Sequence, residues 1–438
     1  MSFQPSVIND FILKNLVLVK DQITAHTIES FLASPNTIKI QETDQCEFYL
    51  TNGFTLVILN ETIIAVETKA DINRAVEQSS VESSINGPKD AFTENIQINL
   101  GLVKRRIKSH TLKVKSKVLG RKTLTMTNIL YFEDIADDEL IQSVLNELDK
   151  IDIDGILDSG ELALFLESNN KSHFPTVLKT ERPDHTCNAL LEGKIVILVD
   201  TSPFALIVPA FFADFVNPIT DNYVKEQNIN FLKIVRFICF FITMMTPAIY
   251  IALINYNPET IPTSLLINFS RQRASVPFPS IIEAIIMLFI YEILRESDIR
   301  FPNSYGSAIS ILGALILGEA AVNAGFVSPI MIIVVAFTFI TSLLFTEQEL
   351  VQAARHFRII FLFLAAIYGL YGIVLAFIYF IIHITNIKTF SMPYFYPLSP
   401  FKKDYLFKGL LKKNITKDTK RSKLLASKNI TRERRFNS

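Results

Sequence analysis

Long apolar runs in the second half of the chain restrict its fold more than any other feature. Residues 237–254 contain no charge, and residues 307–326, 328–345 and 359–384 form three further apolar runs. A helix needs about 20 apolar residues to cross the hydrocarbon core of a bilayer. The sequence therefore predicts four membrane-spanning helices, of which the second and third form a tight hairpin.

A further apolar segment, residues 276–295, has a different pattern. Pro277 and Pro279 open the segment, and Glu283 and Glu292 lie within it. A full span is one interpretation, but a broken or re-entrant helix that packs inside the protein suits these residues better. The count stays open between four spans and five or six. An even number of spans places the basic C-terminal tail on the same side of the membrane as the N-terminal domain. The positive charge of the tail favours this arrangement.

Charged side chains in and beside these runs are candidate polar or gating residues. A carboxylate at the bilayer centre costs at least ~2.5–3.5 kcal/mol, so it is retained only where it faces protein, a partner or water. The candidates are Glu283, Glu292, Arg295 and Arg300. Their presence predicts a membrane protein with a polar path.

The apolar run at residues 307–326 is rich in Gly, Ala and Ser and also contains Glu319 and Asn323. These two residues are one helical turn apart, so a ring of such helices in an oligomer would stack carboxylates and amides along a cation path. We therefore predict that Leu315, Glu319, Val322 and Asn323 line a pore, with Leu315 or Val322 as its apolar constriction. Small residues also permit close helix packing, and that alternative stays open.

The first half of the chain changes pattern every few residues, which is typical of α/β units. We predict an N-terminal α/β subdomain with a β-hairpin at residues 1–85, a linker and helical segment at 86–127, a second α/β subdomain at 128–220, a transmembrane helical domain at 230–390 and a basic cytoplasmic tail at 391–438. The predicted fold class is thus a cytoplasmic α/β region of two small subdomains followed by an α-helical multi-pass membrane domain.

Local patterns place secondary structure inside the two subdomains. Strand-like runs at 46–50 and 54–59, joined through Asn52-Gly53, predict the β-hairpin. In the second subdomain, alternating strands and helices favour a largely parallel sheet. The predicted strands there are 128–132, 151–154 and 195–199, and the predicted helices cover 140–148 and 159–166.

Charge is unevenly distributed although the net charge is zero. Residues 401–438 carry 13 Lys and Arg against 3 Asp and Glu. A basic tail after the last apolar run is typical of a cytoplasmic segment that faces lipid headgroups, so we prefer membrane lipids over nucleic acid as its partner. The N-terminus lacks a secretory signal, which places the first domain in the cytoplasm.

The sequence contains no motif that indicates catalysis, a cofactor or a metal. The three cysteines lack ligand spacing, and there is no nucleophile elbow or phosphate-binding glycine loop. An EF-hand-like spacing around Gly155 has Lys150 at its first position, where a calcium loop needs a carboxylate. We therefore predict no enzyme activity, no cofactor and no metal site.

Several short motifs occur in order along the chain, at residues 82–94, 99–107, 151–160 and 180–184 and onwards to Pro393-Tyr394. Together they resemble the A subunit of GerA-type spore germinant receptors, over roughly residues 45–410. The resemblance assigns family-motif structural roles to Gly87, Pro88, Asn99, Arg105, Arg106, Glu181, Arg182 and Pro183.

The resemblance implies an integral protein of the spore inner membrane, with its N-terminal domain and basic tail on the cytoplasmic side, the spore core. The implied partners are a transporter-like B subunit that binds the nutrient, a lipoprotein C subunit, further copies of this chain, membrane lipids and monovalent cations. The implied function is a ligand-gated cation channel that triggers germination. Two alternatives stay open: a secondary transporter, in which Glu283, Glu292 or Glu319 relays protons or ions, and a scaffold that does not conduct.

Overall fold

The N-terminal half of the chain forms two β-sheets with associated helices, and the C-terminal half forms long apolar helices. This architecture confirms the predicted fold class. A computed structural model describes residues 37–40, 45–51, 54–59, 62–67, 82, 86–167, 172–300, 318–401, 411–412 and 419–432.

A small antiparallel sheet lies nearest the N-terminus. It contains strands β1 (Thr37–Ile40), β2 (Phe54–Leu59) and β3 (Thr62–Glu67) in the order β1-β3-β2, with helix α1 (Gln45–Thr51) before β2. The hairpin predicted from runs 46–50 and 54–59 is wrong, because the first run is helical and β2 pairs with β3. Periodicity cannot separate helix from strand in so short an apolar run, whereas β3 is rich in β-branched residues.

A larger unit follows, built on a five-stranded sheet in the order β4-β5-β7-β8-β6. Every neighbouring pair of strands is antiparallel, so the predicted parallel sheet is wrong. The strands are β4 (Leu112–Leu119), β5 (Thr125–Phe132), β6 (Leu178–Thr180), β7 (Ile195–Val199) and β8 (Ala205–Val208). The helices are α2 (Ile96–Arg106), α3 (Asp138–Asp149), α4 (Ser159–Glu167), α5 (Pro183–Leu191) and α6 (Phe212–Val216).

Helices on both faces of this sheet explain its continuous apolar strands. Helices α2 and α5 pack on the face that includes Val196 and Leu198, and α3 and α4 pack on the face that includes Ile195 and Ile197. Strand β7 is therefore buried at all five positions. A continuous apolar strand of this kind is typical of a parallel sheet. Here, however, short connections join β4 to β5 and β7 to β8, so these neighbouring strands are antiparallel.

The other local predictions for this unit have mixed outcomes. The predicted strand at 151–154 is wrong, because these residues form an irregular segment. The polar residues of this alternating pattern form exposed ion pairs instead. Asp152 pairs with Arg121, and Asp154 pairs with Lys122 at 3.3 Å. The structure confirms strands at 128–132 and 195–199 and helices at 140–148 and 159–166.

The segment 86–127, predicted as a linker with a helix, contributes both α2 and β4 to the larger unit. Strand β4 pairs with β5 over its whole length, with Leu112 opposite Phe132 and Leu119 opposite Thr125. The segment is therefore an integral part of the sheet. The outer domain boundaries stay predictions.

Long apolar helices form the second half of the structure. The helices are α7 (Glu226–Asn255), α8 (Thr263–Arg273), α9 (Ser280–Arg300), α10 (318–323), α11 (Pro329–Ser342) and α12 (Gln348–Asn386). Helices α7 and α12, with 30 and 39 residues, are long and apolar enough to cross a membrane. The broken or re-entrant helix expected at 276–295 is wrong, because Pro277 and Pro279 precede α9, which is continuous over 21 residues.

Helix α12 doubles back on itself at Gly369. The rings of Phe357 and Phe380 lie 5.2 Å apart between centroids, whereas a straight helix would separate two residues 23 positions apart by about 35 Å. The single span predicted at 359–384 is therefore wrong, since two antiparallel helical segments occupy these residues. The apolar run is continuous across the turn, so hydropathy alone does not reveal it.

Glycine makes the turn in α12 sterically accessible. Gly369 has φ +61° and ψ −139°, a conformation that side chains with a Cβ rarely adopt. A Cβ at this position would lie 2.8 Å from the Tyr256 side chain. Gly372 directly faces the backbone carbonyl of Leu364 across the two segments, so it also has no room for a side chain.

The ends of the helices define two sides of the membrane domain. On the near side, Arg236 of α7 donates a hydrogen bond to Asp221 of the larger α/β unit at 2.7 Å. On the far side, Ser280 at the start of α9 donates to Asn255 at the end of α7 at 2.9 Å. After α12 the chain is again on the near side, where Thr389 donates to the backbone carbonyl of Thr176.

Candidate functional site

Arg182, Asp184 and Tyr223 form a buried network in the larger α/β unit. Arg182 is 1% exposed, and its Nε and Nη2 donate to Asp184 at 3.0 and 2.7 Å. The Tyr223 hydroxyl donates to the same carboxylate at 2.6 Å. Burial opposes the charge of Asp184, but the hydrogen bonds from Arg182 and Tyr223 lower its pKa below the ordinary value. The pair therefore stays ionised at neutral pH.

The Gly87-Pro88 turn docks on this network. Arg182 Nη2 donates to the Pro88 carbonyl at 3.3 Å, and Pro183 opens helix α5 directly after it. Gly87 has φ +114°, and a Cβ there would lie 2.6 Å from the Tyr223 ring. Four family-motif residues thus come together at the buried guanidinium of Arg182, namely Arg182 itself, Gly87, Pro88 and Pro183.

Three other motif residues hold the chain around α2. The Asn99 side chain is buried, and it donates to the Thr93 carbonyl at 2.6 Å and accepts from the Thr93 backbone N–H at 2.8 Å. Arg105 and Arg106 both contact Asp90, at 3.4 and 2.5 Å. These contacts connect the segment before α2 to the end of the helix, so the described side chains have structural roles here.

An acidic contact joins this unit to the start of α12. Glu181 Oε1 accepts from the Glu82 backbone N–H at 2.6 Å, and Glu82 Oε1 accepts from the Glu181 backbone N–H at 3.1 Å. Burial raises the pKa of Glu82 to about 7. Burial, with the charges of Glu82 and Glu349, raises the pKa of Glu347 to about 8. These carboxyls therefore titrate near neutral pH.

Further contacts dock the larger unit on the two segments of α12. Phe174, which is 3% exposed, lies among aromatic rings of the membrane helices, so one apolar core continues from the sheet into the helices. Its ring neighbours include Phe240, Phe357, Phe380 and Tyr394. Polar and ring contacts join Lys179 to Glu349 at 2.5 Å, His173 to His356 at 3.6 Å between centroids, and Ser172 to His383 at 2.9 Å.

Glu292 lies in an ion-pair network near the end of α9. Arg355 of α12 donates to it at 2.8 Å, and Arg295 lies 3.9 Å from the same oxygen. Arg295 also donates to Gln348 at 2.6 Å. Two predicted candidates, Glu292 and Arg295, are therefore brought together. Arg300 is the last residue of α9, and its side chain lies outside the described part of the chain.

Arg358 is a buried cation that the sequence interpretation missed. It is 2% exposed, and its Nε donates to the Thr243 carbonyl of α7 at 2.9 Å. The guanidinium lies 5.8 Å from the centroid of the Tyr291 ring of α9. A cation immediately before the apolar run at 359–384 is the signal that could have identified it, because such a residue is costly unless protein surrounds it.

Glu283 is separate from this network and lies at the far end of α9. Its side chain is fully buried, and its Oε1 accepts hydrogen bonds from the Ser328 hydroxyl and, at 2.6 Å, from the Ser328 backbone N–H. Ser328 is also the N-cap residue of α11. Glu283 therefore joins α9 to the turn between α10 and α11.

The predicted pore residues do not all share one environment. Glu319 and Asn323 are exposed on α10, together with Ala320, and Ala324 is exposed in the turn directly after it. Val322 is half-buried and packs against the apolar core of α9 and α11. Leu315 lies outside the described residues.

These features define a membrane protein in which an α/β unit docks on a helical domain with buried charges. The chain belongs to the GerA family of Bacillus and Clostridium spore germination proteins, whose family model matches residues 2–424. This match confirms the resemblance that the short motifs carry.

Individual relatives are similar over most of the chain. Spore germination protein KA of Bacillus subtilis (strain 168) is 38% identical over 366 residues, which cover 83% of this chain and 67% of that protein. The uncharacterized membrane protein YfkQ of the same organism is 37% identical over 341 residues, which cover 78% of this chain and 66% of that protein. The chain thus spans about two thirds of the length of both.

A solved structure also matches part of the chain. It is the crystal structure of the N-terminal domain of the A subunit of the Bacillus megaterium spore germinant receptor GerK3. The match has 32% identity and a TM-score of 0.37 and covers 48% of this chain and 79% of that chain.

Proposed function

We propose that several copies of this germinant-receptor subunit assemble into a ligand-gated cation channel that triggers spore germination. The observation that carries the proposal is the exposure of Glu319 and Asn323 on one face of α10. In a single protomer this face would meet lipid, where a charged carboxylate is costly. Further copies around a shared axis would surround the same face with protein and water.

The position of α10 suits an entrance for cations. Glu319 precedes the Gly325 turn on the far side by six residues, or about 9 Å of helix. A ring of these carboxylates would lie near the far mouth of the pore and attract cations. Val322 is offset from Glu319 by about 60° around the helix, at the edge of the exposed face. Val322 and Leu315 stay our candidates for the apolar constriction.

Charge supports a cytoplasmic position for the near side. Basic side chains are frequent there, whereas the far-side segment at residues 256–279 has two arginines and one glutamate. The positive-inside rule places the more basic side in the cytoplasm, here the spore core. The near-side residues are Lys225, Lys233, Arg236, Arg295, Arg355 and Lys388. The membrane would then be the spore inner membrane, with the basic tail facing its lipids.

We infer that the partners are a transporter-like B subunit, which binds the nutrient, and a lipoprotein C subunit. Nutrient binding would open the pore if the complex stabilises the open state more than the closed state. The larger α/β unit offers a route for this signal, because Phe174 packs directly among the helices of the membrane domain. A displacement of that unit would act on both segments of α12.

Ion flux through the reconstituted receptor tests the proposal. Liposomes that contain the complete receptor should release potassium when nutrient is added, and Glu319→Gln should lower the preference for cations. Val322→Ala should cause leak without nutrient, because it widens the constriction. Val334→Ala is the matched control, since Val334 is also half-buried in the same apolar core but lies on α11. Unchanged ion retention in Val322→Ala would exclude a constriction at this residue.

A secondary transporter is the second candidate, and buried Glu283 favours it because an ion relay can work inside one protomer. The two candidates differ in stoichiometry. A channel built from α10 requires several copies around an axis, whereas a transporter works as a single bundle. The mass of the purified receptor in detergent, measured together with potassium flux, distinguishes them from each other and from a scaffold that does not conduct.

A further inference from the structure

A buried group of oxygen atoms lies at the far side, where α7, α9 and the turn before α11 meet. We name it the far-side cluster, formed by Tyr250, Glu283 and Ser328. All three side chains are buried, and that of Glu283 has no exposed surface. One turn earlier on α9, Ser280 is also buried and donates to Asn255 at 2.9 Å. The cluster therefore places a carboxyl group among hydroxyl oxygens away from solvent.

Two hydrogen bonds fix one carboxyl oxygen of Glu283 in place. Its Oε1 accepts from both the backbone N–H and the hydroxyl of Ser328. The backbone N–H cannot reverse its direction, so this contact requires an acceptor oxygen at that position. The geometry thus fixes a carboxyl oxygen as an acceptor in the interior of the helical domain.

Among the described residues, no basic side chain forms an ion pair with Glu283. The carboxylates that pair with arginine in and beside these helices are Glu292 and Asp221. Arg273, at the end of α8, is half-buried and interacts electrostatically with Tyr250 rather than in a direct pair with Glu283. Buried charges in proteins are normally paired or bound to an ion, so an ionised Glu283 requires a bound counter-ion here.

Two oxygens of the far-side cluster are also available as ligands. Glu283 Oε2 and the Tyr250 hydroxyl are both buried; Glu283 Oε2 has no hydrogen-bond partner among the described residues, and the Tyr250 hydroxyl lies beside Ser328 and Glu283. Both are hard oxygen donors of the kind that alkali cations prefer. The cluster contains a single carboxylate, and the described residues include no group of three or more His, Cys, Asp or Glu that would suit a multivalent metal.

We propose that the far-side cluster binds one monovalent alkali cation, with Glu283 Oε2 and the Tyr250 hydroxyl as its protein ligands. The cation neutralises Glu283 and thereby stabilises the packing of α9 against the turn between α10 and α11. This site is distinct from the exposed face of α10 that carries Glu319. Its existence does not depend on conduction, because a bound ion stabilises the fold whether or not the protein is a channel.

Thermal unfolding of the full-length protein in detergent tests the site. Sodium or potassium chloride is titrated against N-methyl-D-glucamine chloride at constant ionic strength, so that general screening is held fixed. Above the dissociation constant, each tenfold increase in cation should raise Tm by about 1.5 °C. Tyr250→Phe should shift this response to a higher cation concentration, because it removes one ligand and keeps the ring.

Glu283→Gln should abolish the response, since the amide keeps the acceptor for Ser328 and lacks the charge. Glu259→Gln is the matched control, because Glu259 is an exposed glutamate on the same side, and it should retain the full response. An equal rise of Tm in wild type and Glu283→Gln would place the bound ion elsewhere and overturn the proposal. No rise in wild type with either cation would show that a water or a proton satisfies Glu283, which would also overturn it.

Discussion

The ring of Phe174 in the larger α/β unit packs 5.5 Å from the ring of Phe357 in the first segment of α12. Phe357 in turn contacts Phe380 of the second segment at 5.2 Å. Phe174 also lies 6.2 Å from the Phe380 ring, so one aromatic side chain of the α/β unit contacts both segments of α12. A movement of the α/β unit cannot leave the helices undisturbed, because closely packed aromatic rings transmit displacement.

Phe174→Ala should destabilise the protein by about 3–5 kcal/mol, the usual cost of removing a buried phenylalanine. It should also separate the unfolding of the α/β unit from that of the helices, since their shared core is interrupted. Differential scanning calorimetry with limited proteolysis measures both effects. Phe165→Ala, in the same unit but at a partly exposed site, should give a smaller loss and one transition. A single cooperative transition in Phe174→Ala would contradict the coupling.

Gly369→Ala should destabilise the helical hairpin by about 1–3 kcal/mol or more, because the residue adopts a backbone conformation reserved for glycine and its Cβ would clash with Tyr256. Unfolding in detergent measures this change. Gly318→Ala is the control, since its Cβ would make only an ordinary contact 3.9 Å from Ile332. Equal stability of the two variants would argue against a turn at Gly369.

Asp184→Asn should destabilise the larger unit by about 3–5 kcal/mol, because it leaves Arg182 buried without a counter-charge. Denaturant unfolding followed by circular dichroism measures the loss. Asp152→Asn removes an exposed ion pair with Arg121 and should change stability little. If both substitutions had the same small effect, the buried network would not be a stabilising centre of the unit.

The stability that protonated Glu82 and Glu347 contribute should be lost as pH rises from about 4.5 to about 8. Burial raises the pKa of Glu82 to about 7 and that of Glu347 to about 8, from the ordinary value of 4.5. A carboxyl with a raised pKa binds its proton more strongly in the folded state, so its contribution is complete below pH 4.5 and is lost as the folded carboxyl ionises.

Tm measured across this range in wild type and in Glu82→Gln checks the prediction. The variant should show a shallower decrease, because the amide cannot ionise. Glu94→Gln, at an exposed site, should retain the decrease of the wild type. A decrease of the same slope in Glu82→Gln would assign the effect to other groups.

Elements with long, regular patterns were predicted correctly from the sequence. Helix α3 has apolar residues on one face, and β7 is a continuous apolar run, so their types follow from local periodicity. The hairpin at 46–59 and the strand at 151–154 failed because short alternating runs fit several structures. The direction of the strands also failed, since helices cover both faces of an antiparallel sheet and conceal its usual alternation.

The candidate site was predicted only in part, because the sequence reveals unusual residues but not their partners. Glu283 and Glu292 stood out because charge is rare in apolar runs, and both are important in the structure. Their different environments were not predictable, because Glu283 meets Ser328 and Glu292 meets Arg355 only through helix packing. Arg358 and Tyr223 were missed, since neither forms a local pattern with its partner.

The sequence by itself determined the family, the membrane half and the presence of charges that apolar surroundings must accommodate. These follow from composition, hydropathy and short motifs, which are local properties. Only the tertiary structure decided that α12 turns back at Gly369, that Glu283 lacks a basic partner among the described residues, and that Phe174 enters the helical core. Each of these depends on contacts between residues distant in the chain, and no local pattern encodes which of them meet.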